Sequence, residues 1–227
     1  MTVDDFTGFD DDALDTLRAL PRWTTDDRAA NKSAYDHLVE TTKQFALAVG
    51  DQIRETVSDT VSVEPKVNGS ISPFNRDLRF AEDRSLPYKD HLMVNFWDGP
   101  DKKTAPTLRV RVTPEGTGFG GGAVFSKDGL ERFRSAVVAD GGADLVAAID
   151  TLTAARPGLD MPEPELKRVP GDHDPDHRRG DLLRRKSLHL RWQDPNPASI
   201  NSDAFVGWCG ERLEDLGPVH RWLVAAL

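Results

Sequence analysis

At 227 residues the chain is long enough for one good-sized domain, and its formal net charge of −9 argues against a general binder of nucleic acid or anionic membrane, which needs a broad basic face. Its charged fraction is high at 30%, but Trp, Phe, Leu and Val recur throughout, so it is a folded globular chain and not a disordered one. The single cysteine, Cys209, rules out an intramolecular disulfide framework, and the chain has neither a signal-like start nor an apolar run of membrane-spanning length, so a cytoplasmic protein is expected.

Phe6 to Leu20 reads as a lead-in followed by a short helix, with Asp10 to Asp12 at its start and Leu14, Leu17 and Leu20 as the buried stripe. Pro21 stops it. A long helix is expected from about Asp26 to Val57, because Tyr35, Leu38, Thr42, Phe45, Val49, Ile53 and Val57 recur at helical spacing. The period then changes to two. A strand region starts at Val61, Val63 and Val67, with Pro65 placing it at an edge.

Leu92, Val94 and Phe96 alternate with Met93, Asn95 and Trp97, and Leu108, Val110 and Val112 alternate with Thr107, Arg109 and Arg111. Both are half-buried antiparallel strands with a polar second face. A glycine-rich stretch, Thr117 to Phe125, precedes a helix from Lys127 to Ala139 capped by Ser126, and another helix runs through Ala155. The proline-rich connection Arg156 to Pro170 holds a short strand at Leu166 to Val169. Asp174 or Asp176 caps a helix with Leu182 and Leu183, then come a strand from Ser187 to Trp192 and a final helix from Ser202 to Leu227, with Gly217-Pro218 as a point for a bend. Helices at both ends of a central run of strands predict a single α+β domain over residues 1–227, its largely antiparallel sheet covered by helices on one face. The open face would present Asn95, Trp97, Arg109 and Arg111.

The densest chemistry lies between Asn75 and Lys89, where Arg76, Asp77, Arg79, Asp83, Arg84, Tyr88 and Lys89 sit among the apolar anchors Leu78, Phe80 and Leu86. Arg and Lys brought together by a turn make a receptor for carboxylate, phosphate or sulfate, the guanidinium bidentate and the ammonium a mobile point charge. Asp77 or Asp83 would position those cations or move a proton, and Tyr88 would donate a hydrogen bond. The same residues also describe a salt-bridge network that only fixes a loop. Gly120 to Gly122 allow close backbone approach and suit an anion, yet equally mark a bulge; the pattern is neither a P-loop nor GxGxxG. His173, Asp174, Asp176 and His177 lack a regular metal spacing, so neither metal nor cofactor is expected.

From Arg76-Asp77-Leu78-Arg79-Phe80 through Asp83-Arg84-Ser85 and Pro87-Tyr88-Lys89, then Phe119-Gly120-Gly121-Gly122, Leu166-Lys167-Arg168, Asp174-Pro175-Asp176-His177 and Leu182-Leu183-Arg184-Arg185-Lys186-Ser187, the chain resembles a bacterial family catalogued as domain of unknown function 2461. The likeness runs in order along nearly the whole chain and places Lys186 at a helix–strand junction facing the site. It departs at Thr25-Asp26-Asp27-Arg28, where the family has an Arg-Glu-Trp-Phe-like element, and in the loop after Phe80, which carries an extra residue. The family implies no reaction.

Two functions follow as expectations. One is a small-molecule enzyme or anion-recognising protein, with Asp77, Asp83 and Tyr88 as the catalytic candidates. Arg76, Arg79, Arg84, Lys89, Asn95, Trp97, Arg109, Arg111, Gly121 and Lys186 would bind a small acidic molecule. The other is a non-catalytic module whose charged loop is structural and whose open face docks a protein partner or a second copy of the chain. Nucleic acid and membrane are not expected as partners.

Overall fold

The period-two segments in the middle of the chain form one antiparallel sheet in sequence order: β1 (Leu92–Trp97), β2 (Thr107–Val112), β3 (Gly116–Val124) and β4 (Ser187–Pro195). The computed structural model describes residues 5–79, 84–171 and 173–227. Val94, Val110, Phe119 and Trp192 lie in register across the four strands and are all buried. Alternation along each strand turns Asn95, Trp97, Arg109, Arg111, His189 and Arg191 to the opposite face.

Among the described residues there are seven α-helices: α1 (Asp11–Ala19), α2 (Thr25–Ala30), α3 (Lys32–Thr56), α4 (Lys127–Val138), α5 (Gly142–Ala155), α6 (Gly180–Leu183) and α7 (Ala204–Ala226). Helix α7 lies on β3 and β2, and α3 packs against α7 and β1. The buried faces of these elements join in one hydrophobic core. At its α-helical end Phe6, Phe9, Phe45 and Phe205 form an aromatic cluster with centroids 5.1–6.1 Å apart. Cys209, on α7, is fully buried in this core, and burial pushes its thiol well above the usual cysteine range.

Four local expectations are corrected. The helix expected from Asp26 to Val57 is two helices. Thr24 makes a capping box with Asp27 that starts α2, and Asn31, at φ −105° and ψ 32°, ends it by donating its side-chain amide to the Asp27 carbonyl. Residues 61–67 make only isolated bridges, Ser62 with Trp97 and Val67 with Ile71, because Pro65 and the turn at Gly69 interrupt pairing. Leu166 to Val169 is not a strand: among the described residues its ladder amounts to one bond, from the Leu166 amide to the Arg184 carbonyl. Asp174 accepts from the Asp176 amide instead of capping α6.

The sheet edge at β1 is covered. The Ser62 amide donates to the Trp97 carbonyl, Ser72 to Met93, and Asn95 to Ser70, each at 2.8–2.9 Å. This lays the 62–73 segment alongside the strand and places its loop beside the sheet's second face.

Candidate functional site

The charged loop is held by its own residues. Asn75 bridges Tyr88, the Arg76 amide donates to the Pro87 carbonyl and the Lys89 amide to Phe74, so the two ends lie antiparallel. Asp77 accepts three bonds from the Arg79 guanidinium and one from its backbone amide, and these hold its carboxyl below the usual range. Arg76 donates to the Leu86 carbonyl, Arg84 to the Arg79 carbonyl at 3.4 Å, and Lys89 to the Pro73 carbonyl at 2.6 Å. Burial lowers the Lys89 pKa from its ordinary value. Tyr88 is buried and packs against Tyr35. Asp83 and Phe80 lie outside the described residues.

A different centre lies on the open sheet face. Asn95, Trp97 and Arg109 line a cavity of ≈ 260 Å³ closed by the loop around Asn68 to Pro73 and by Lys102, Lys103 and Thr107. Among the described residues its lining contains three cations and no carboxylate, within a chain of net charge −9. Asn95 is held by bonds from its amide to Ser72 Oγ at 3.0 Å and to the Ser70 carbonyl at 3.3 Å. Lys102 donates to the carbonyls of Asn68 and Gly69 and lies over the Trp97 ring. Arg109 is the exception: among the described residues it makes no hydrogen bond or ion pair, and its Nε is buried without a partner.

The sequence around Arg109 explains its position. In register it faces Gly120, where a Cβ would lie 3.3 Å from its Cγ and 3.0 Å from the Leu190 carbonyl oxygen. Glycine thus gives the guanidinium stem a bed on β3. Gly122 has φ +140°, and a Cβ there would sit 1.8 Å from the Leu188 oxygen. The run stays in continuous register with β2 and β4, so the bulge that it could equally mark does not form, and its glycines serve close approach between strands. Gly121 belongs to the other face, beneath Leu216 of α7.

Across Gly120 and Gly122 stand Arg191 and His189. Burial and then the Arg191 charge depress the Arg109 pKa; burial and then Arg109 depress that of His189. Arg191 pairs with Asp160 at 2.7 Å.

Arg111 donates to Asp90 at 3.1 Å and contacts His91, so it is engaged at the far end of β2. Lys186 is exposed, and its backbone amide donates to Glu165. Ser72, Lys102, Lys103, Thr107 and His189 were not singled out as site residues from the sequence. Period-two alternation flagged Thr107 as sharing a face with Arg109 but gave no chemistry to it. Among the described residues no group of three or more His, Cys, Asp or Glu side chains is arranged to hold a metal.

One more ionisable pair is deeply buried. His220 of α7 and Asp98, just after β1, meet at 2.6 Å, and Thr60 donates to the other Asp98 oxygen at 2.7 Å. Burial pushes the Asp98 pKa up, but bonds from His220, Thr60 and Ser58 outweigh it and hold the carboxyl below its usual value. With Nε2 donating to Asp98, His220 Nδ1 is left buried and unpaired.

The architecture is therefore α+β, with a basic, glycine-bedded patch on the uncovered face of an antiparallel sheet. Residues 26–222 match the family described as conserved hypothetical protein (DUF2461), and the chain belongs to that family. No curated protein matches the chain. No described helix is long and apolar enough to cross a membrane.

Proposed function

We propose that the chain recognises a small acidic molecule on the open sheet face, with Arg109 as the principal anion-binding group. The observation that carries this reading is a half-buried guanidinium with no partner among the described residues, in a cavity whose described lining is cationic, neutral polar and apolar, without a carboxylate. A guanidinium left unpaired as it is buried loses hydration without compensation, and a carboxylate, phosphate or sulfate would restore two parallel bonds. Lys103 adds a second cation, the Thr107 hydroxyl and Ser72 add polar lining, and Trp97 offers an apolar wall. The Asn75–Lys89 loop then serves as scaffold: its cations are engaged locally, and Lys89 through Pro73 anchors one wall of the cavity. Binding is favoured over catalysis, because the described candidates for proton transfer, Asp77 and Tyr88, do not line this cavity.

Titrating the ¹⁵N-labelled protein with sodium sulfate and inorganic phosphate tests the proposal through the Arg109 Nε resonance. Saturable shifts there and at the Asn95 side-chain amide, lost in Arg109→Gln, are expected. Saturable binding that persists unchanged in Arg109→Gln would overturn it.

A further inference from the structure

A second cavity, ≈ 770 Å³, lies between α5, α6 and the connection that follows α5. Its volume falls in the range of small-molecule sites. One part of its wall is apolar: Val146 and Ile149 from α5, Met161 and Val169 from the connection, and Leu182 from α6. The remainder is strongly basic, with Lys167, Arg168, Arg178, Arg179, Arg184 and Arg185 against two carboxylates among the described lining residues, Asp150 and Asp181. Asp181 is already paired with Arg184.

Two of these arginines are not surface groups. Arg179 is 6% exposed and Arg185 4%. Arg179 uses Nη1 to close the end of α4 through the carbonyls of Val137, Val138 and Ala139, while its Nη2 is buried with no partner. Arg185 uses Nη1 on the Pro162 carbonyl, while its Nε is likewise buried and unpaired. Burial lowers the Arg185 pKa, with Glu165 and Asp181 opposing that shift. Beside them, His177 Nδ1 accepts from the Arg179 amide, so in the neutral ring Nε2 carries the proton as a donor. Fixed arginines thus stand against an aliphatic wall, with Lys167 and Arg168 exposed at the rim.

We infer that this cavity is a second binding site, separate from Arg109, for a small amphipathic anion: a compact apolar chain carrying one carboxylate or phosphate head. The apolar part would lie on Val146, Ile149, Met161 and Val169, where burial of hydrocarbon drives binding. The head would face the arginine cluster, whose rigid forks match its oxygens. A simple inorganic anion would leave the aliphatic wall wet, and a cationic amphiphile would meet like charge.

Isothermal titration with sodium decanoate below its micelle concentration tests this, with decyltrimethylammonium and inorganic phosphate as comparison probes. One-to-one decanoate binding is expected at least tenfold tighter than binding of either comparison probe. The exposed double variant Lys167→Glu/Arg168→Glu should weaken it at least tenfold, and Met161→Trp should weaken it by filling the cavity. Arg109→Gln should leave it unchanged, which separates this site from the first. Equal binding of the cationic amphiphile, no decanoate binding up to millimolar concentration, or indifference to the double variant would overturn the inference. Circular dichroism and thermal melts establish that each variant is folded before it is scored.

Discussion

The two faces of the sheet differ in how they provide for the ionised group held deepest on each. On the helix-packed side the carboxylates beneath and along α7 are answered from within: buried Asp98 by His220 and Thr60, and half-buried Asp215 by Arg156 and Asp194 by Arg212 and Arg156. Arg156 and Arg212 also lie over the rings of Trp192 and Trp208. On the uncovered side, Arg109 is half-buried and unanswered. Pairing of the first kind fixes one packing of α7 on the sheet. The second kind leaves a desolvated cation whose natural complement comes from outside the chain, which is the basis of the proposed anion site.

Breaking the internally paired side should have the largest effect. Asp98→Ala strands buried His220 and is expected to cost about 3–5 kcal/mol in urea unfolding, as removal of one member of a buried pair does. Because the Asp98 carboxyl is held below its usual value, its contribution is present above the unfolded-chain pKa and is lost as pH falls through the lower folded one. Gly122→Ala comes next: it forces a side chain onto φ +140° against the Leu188 oxygen, a cost of about 1–3 kcal/mol by the same assay. Arg109→Leu should go the other way, leaving stability unchanged or raising it by about 1 kcal/mol while abolishing sulfate binding, because it removes an unsatisfied buried donor. A destabilised Arg109→Leu would mean that the fold itself uses this cation.

A smaller effect comes from pH. The depressed His189 is neutral at pH 7, and a bound anion raises its proton affinity. Sulfate should therefore bind tighter, by roughly a few-fold, as pH falls through the lowered His189 pKa, which lies below the ordinary histidine value of 6.5. Without an anion the same titration works against the fold, since the unfolded chain takes up that proton first and stability falls with pH in this window. His189→Gln should flatten the binding profile. Least of all is expected from Arg79→Ala on the exposed loop, whose melting temperature should match that of the parent.

Much of the fold was legible because it rests on periodicity. The expected helix from Lys127 to Ala139 and the strand pairs around Val94 and Val110 stand nearly as read, since alternate burial is written directly into residue type. The final helix also forms as expected and runs through Pro218 without interruption. Leu213, Leu216, Val219 and Leu223 are buried on both sides of the proline, and their packing outweighs its lost hydrogen bond. The candidate site was less legible. Arg79 and Arg109 look alike in sequence, yet one has Asp77 two residues away and the other has glycines across a strand. Lys102, Lys103 and Ser72 reach the cavity only through the turn after β1 and the pairing of the 62–73 segment along its edge. Those contacts are non-local, and no local pattern encodes them.

Cys209 turns the packing of α7 into a clock. A thiol enclosed in the core and held in its protonated form reacts with an alkylating reagent only when the helix lifts away. Because it is the chain's single cysteine, its labelling rate in the unmodified protein counts those openings one at a time.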